Sequence, residues 1–85
     1  MINIMLKFVA QELTPGFTNG EITIESGMAI RELISYYADK NSLSVPSENQ
    51  YKLMYPLFNG KPAGLDSVLE KDGTLHICRV SIGGC

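Results

Sequence analysis

The chain has 85 residues, which allows one domain with one core. Hydrophobic residues make up 45% and charged residues 19%, a composition too apolar for intrinsic disorder. A formal net charge of −2 offers no basic stripe to neutralise a phosphate backbone, so no nucleic-acid partner is expected.

Ile2, Ile4, Leu6 and Phe8 alternate with Asn3, Met5, Lys7 and Val9, the period of two of a strand with one apolar face. Residues 14–20 concentrate turn formers, and Glu21-Ile22-Thr23-Ile24-Glu25 alternates again, so an opening hairpin is predicted. Ser26 and Gly27 are placed to cap a helix in which Ile30, Leu33, Ile34 and Tyr37 form one face and Arg31, Glu32, Ser35 and Asp39 the other. Residues 41–50 are polar, contain Pro46 and read as a surface loop. Residues 51–58 read as a strand that Pro56 confines to an edge or a bulge, and Asn59-Gly60 ends it with a positive-φ turn. Residues 65–69 are expected to make a short helical turn and Lys71-Asp72-Gly73 a tight one. The last strand, 74–80, would point Leu75 and Ile77 inward and His76, Cys78 and Val80 to the opposite face.

This order, strand, strand, helix, strand, short turn, strand, predicts an α+β chain. The fold expected is a ubiquitin-like β-grasp, with a mixed four- to five-stranded sheet and one main helix packed on one face. Residues 1–80 would be the domain and 81–85 a flexible C-terminal tail, the diglycine Gly83-Gly84 followed by Cys85. The first residues lack the pattern of a signal peptide, and no stretch approaches the roughly 20 apolar residues that span a bilayer. A cytoplasmic protein with no membrane partner is expected. Cys78 and Cys85 are a poor basis for a disulfide framework, and with His76 they fall short of a structural zinc set, so no bound metal is expected. Residues that mark a phosphate loop or an iron–sulfur cluster are absent from the sequence, and no bound cofactor is expected.

Three stretches resemble the MoaD and ThiS families of β-grasp sulfur carriers: residues 2–10, residues 57–62 continued by 69–77, and Val80-Ser81-Ile82-Gly83-Gly84. The resemblance implies a carrier, not an enzyme. It implies that a ThiF/MoeB-like adenylating enzyme activates the terminal Gly84 carboxylate with ATP. Conversion to a thiocarboxylate would then supply sulfur to an acceptor biosynthetic enzyme. In those families the diglycine is normally terminal, and related precursors carry extra residues that a JAMM-type metalloprotease removes. The resemblance implies that the bond between Gly84 and Cys85 would be the corresponding cleavage site here.

Glycine suits such a tail, since a chain without Cβ threads a narrow channel in nearly any φ/ψ. At about 3.3 to 3.6 Å per extended residue, Ser81 to Gly84 would reach roughly 13 to 14 Å. Cys85 has three competing readings: a removable extension, a functional thiol or an incidental residue. Cys78 and His76 share a strand face, but nucleophilic catalysis would also need an orienting third group and a cleft. If that face is open, Met5, Val9, Cys78 and Val80, continued by Ile82, would make an apolar patch for docking a partner. Two alternatives remain at this point. One is a ubiquitin-like modifier conjugated through Gly84, and the other a non-covalent interaction module that never uses its tail.

Overall fold

A computed structural model describes residues 1–80. The alternating start forms β1 (Ile2–Phe8), with Ile2, Ile4, Leu6 and Phe8 buried. It pairs antiparallel with β2 (Gly20–Ile24), Ile4 opposite Ile22. The connection between them is more than a polar turn, because Leu13, Thr14 and Phe17 are buried in it. Phe17 packs against Phe8 and Tyr37, with ring centroids 5.1 Å away in both cases. Tyr37 Oη donates to Thr18 O at 3.0 Å and accepts the Thr18 N–H at 3.2 Å, which pins the loop to the helix.

Gly27, at φ +95°, turns the chain into a two-residue strand, β3 (Met28–Ala29), and α1 (Ile30–Lys40) follows directly. The helix therefore starts later than a Ser26-Gly27 cap would place it. Its N-cap is Ala29, whose side chain has no oxygen to offer. The first N–H groups are satisfied from far along the chain instead: Ile30 N–H by Ser67 O at 3.0 Å and Arg31 N–H by Leu65 O at 2.9 Å. Glu32 reaches back to the Ala29 N–H at 3.1 Å. Ile30, Leu33, Ile34 and Ala38 are buried, as the helical spacing requires.

Residues 41–50 hold a second element at their end. Ser47 Oγ accepts the Gln50 N–H, and Gln50 Oε1 accepts the Ser47 N–H. This capping box starts α2 (Glu48–Lys52), so the predicted strand begins only at β4 (Met54–Phe58). Pro56 is tolerated in β4 because its missing donor points away from the last strand, toward Ala63, whose N–H the Pro56 carbonyl accepts at 3.0 Å. Asn59 (φ 52°) and Gly60 (φ 80°) turn the chain into β5 (Lys61–Pro62). In place of the expected helical turn at 65–69, a turn leads into β6 (Val68–Leu69), which pairs with β3. The closing strand is β7 (Gly73–Arg79).

The sheet has five strands in the order β2-β1-β7-β4-β5. β1 and β7 run parallel at its centre and the other pairs are antiparallel. The buried residues of α1 join Ile4, Leu6, Leu75 and Ile77 in a single core on one face. No helix among the described residues is long and apolar enough to cross a membrane.

Candidate functional site

With α1 on one face, the other presents the alternate side chains of the same strands. Met5 and Lys7 of β1, Thr74 and His76 of β7, and Tyr55 and Leu57 of β4 are all half-buried there. The register aligns them: Lys7 stands beside His76, Leu57 opposite His76 and Tyr55 opposite Cys78. Val9 (60% exposed) lies past the end of β1 and Val80 (48%) just past β7, where Val80 N–H donates to Leu53 O at 2.7 Å. This rim is where the chain leads on toward the diglycine.

The structure corrects one expectation for this face. Cys78 is 4% exposed and not half-exposed, because it sits on the central strand with Tyr55 directly across from it. It is buried outside the main core cluster, on the face away from α1. Met5 and Val80 offer surface. Ile82, Gly83, Gly84 and Cys85 lie outside the described residues. Tyr55 and Leu57 join this face because they alternate with buried Met54 and Pro56, the same period of two that marks β1.

His76 and Cys78 share the face, as strand geometry requires. His76 Nδ1 is enclosed and has no hydrogen-bond partner among the described residues. Among the described residues no group of three or more histidine, cysteine or carboxylate side chains is gathered as a metal site. What the arrangement offers is a shallow, mostly apolar surface with a lysine and an imidazole at its centre, adjoining the chain's exit from the sheet.

Solved structures with the same architecture include a putative molybdopterin converting factor subunit 1 from Pyrococcus furiosus, with a TM-score of 0.63 and 16% identity over 95% of this chain and 100% of that one. The Caldiarchaeum subterraneum ubiquitin matches with a TM-score of 0.55 and 8% identity over 98% of both chains. The chain has the β-grasp fold. SAMP1 from Haloferax volcanii shares it, with a TM-score of 0.59 and 16% identity over 96% of this chain and 99% of that one. At these identities the likeness is one of fold. No family model and no curated protein matches the sequence.

Proposed function

We propose that this β-grasp chain is a sulfur carrier of the MoaD/ThiS kind, with residues 1–80 as the carrier domain and 81–85 as its tail. One observation carries the reading: β7, central in the sheet, delivers the chain to an exposed rim at Val80, and Gly83-Gly84 follow within four residues. The fold likeness to a putative molybdopterin converting factor subunit supports the same reading.

While Cys85 is present, the Gly84 carbonyl is held in a peptide bond and offers no carboxylate. A JAMM-type metalloprotease would hydrolyse that bond. The Gly84 carboxylate would then attack the α-phosphate of ATP on a ThiF/MoeB-like enzyme, releasing pyrophosphate. A sulfur nucleophile would displace AMP and leave the thiocarboxylate for an acceptor biosynthetic enzyme. The chain supplies no catalytic group to these steps; its Met5, Tyr55, Leu57 and Val80 surface docks the partners and its tail reaches their active sites. The fold likeness to a ubiquitin favours a second use of the same activated Gly84, conjugation to the lysines of other proteins.

Intact-mass measurement of the protein from its native cell tests the proposal. The expected species lacks Cys85, and a fraction carries sulfur in place of one terminal oxygen; conjugates of higher mass would mark the second use. Retention of Cys85 on every molecule would sink both. It would leave a non-covalent module, whose partner binding survives deletion of residues 83–85.

A further inference from the structure

The two edges of the sheet are unlike. One is β5, two residues long, where Pro62 has no N–H to offer an incoming strand and Lys61 discourages one. The other is β2, five residues without proline or lysine, paired only with β1 among the described residues. Its open groups follow from the hydrogen bonds of β1. The N–H of Asn3 is turned to Asp72 and that of Val9 to Ile77, both on the β7 side, whereas the Phe8 N–H is turned to Asn19 on the β2 side. Odd-numbered residues of β1 thus bond toward β7. The facing pairs Asn3 with Thr23 and Met5 with Glu21 are therefore the non-hydrogen-bonded ones. It follows that the N–H and C=O groups of Glu21 and Thr23 point outward from the edge. Beside them runs an open cleft of about 390 Å³, bounded by Ile22 and by Tyr37, Lys40 and Asn41 at the end of α1.

We infer that β2 receives an extended, basic peptide segment of a protein partner as an added strand of the sheet. Backbone pairing with Glu21 and Thr23 would supply affinity, and alternate side chains would supply selectivity. On the outer face Glu21 and Glu25 are exposed, and neither forms an ion pair among the described residues. Lys7, one strand further in, forms none either. A second copy of the chain would bring duplicate carboxylates to this seam. A peptide with Lys or Arg at alternate positions sets opposite charges there, the stabilising cross-strand combination. Its intervening residues face the cleft, whose lining of Thr18, Asn19, Lys40 and Asn41 is mainly polar, so β-branched residues there serve the strand pairing more than the cleft. The seam adjoins the docking face at Met5, which stands opposite Glu21, but the outward edge of β2 lies across β1 from Tyr55, Leu57 and Val80, so a partner can be held there while Gly84 is being used.

The test is an NMR titration of the full ¹⁵N-labelled chain with an acetylated, amidated peptide of alternating lysine and valine. The Glu21 and Thr23 amides should shift and gain protection from hydrogen exchange, while Lys61 does not. The double variant E21K/E25K changes only exposed side chains, and it should weaken binding by roughly tenfold or more and prefer the matching glutamate–valine peptide. Glu21→Pro deletes an N–H that no strand uses, and it should abolish the protection at Thr23. Several results would overturn the inference: no protection at Glu21 and Thr23 at millimolar peptide, binding indifferent to the charge reversal, or shifts centred on Tyr55 and Leu57. Protection that rises with protein concentration without peptide would assign the edge to a second copy instead.

Discussion

Asn59 donates its backbone N–H to Thr74 O and accepts the Thr74 N–H on its side-chain Oδ1, at 2.9 Å in each case, so one residue supplies both halves of a ladder rung where β4 has ended. Asn19 supplies the acceptor half alone for β1, its Oδ1 accepting the Phe8 N–H at 2.7 Å, and Asp72 Oδ1 accepts the Asn3 N–H at 2.8 Å just before β7 begins. Short amide and carboxylate side chains thus extend the ladder past the strand ends. Gly73 is tied to this arrangement, since a Cβ there would stand 2.5 Å from Asn59 Oδ1 and 2.6 Å from Phe58 Cζ. Asn59→Gly keeps the positive φ and loses only the side-chain acceptor, so it is expected to cost about 1 kcal/mol. Asn59→Ala adds backbone strain at φ 52° and should cost about 1 kcal/mol more. Urea unfolding midpoints at unchanged slope check both values. The Asn59-Gly60 turn was legible in the sequence because its chemistry is local. The rung to Thr74 was not, because its partner lies 15 residues away.

Helices and strands differed in how far they could be read. The buried stripe of α1 was visible as a 3.6-residue period, and the alternation of β1 and β2 as a period of two. The start of α1 was not, because Ser67 O and Leu65 O close it from a turn more than thirty positions along the chain. The opposite holds for α2, whose Ser47-x-x-Gln50 box is a local signal that the polar composition and Pro46 of residues 41–50 obscured. Ser47→Ala is expected to cost about 1 kcal/mol. For a chain of this size that lowers the thermal midpoint by roughly 4–8 °C, measurable by circular dichroism. β4 shows a proline rule applied by direction: Pro56 sits one strand from the edge, and its absent N–H faces the side where pairing is sparse.

For the whole molecule, the central contact is the parallel pairing of β1 with β7, which brings Ile4 beside Gly73 and Phe8 beside Ile77. A loop of nearly the full chain must close before this pair forms, and its entropy is lost before the contacts repay it. Refolding is therefore expected on a millisecond-to-second scale, slower than helical bundles of equal length, and Ile77→Val should slow it if this pairing belongs to the nucleus. Stopped-flow chevrons of both proteins check this, and an unchanged folding limb would place the pairing after the barrier. The same topology positions the proposed function. A final strand held at the centre on both sides gives the tail a rigid base.

The sequence by itself determined the types of most elements, the core stripe and the Asn59-Gly60 turn, since each depends on residues within a few positions of one another. Only the tertiary structure decided that Cys78 is buried, that Tyr55 and Leu57 share a surface with Met5, and that β2 pairs with β1 alone among the described residues. Burial and edge exposure depend on which strands become neighbours, and those pairings join residues from opposite ends of the chain.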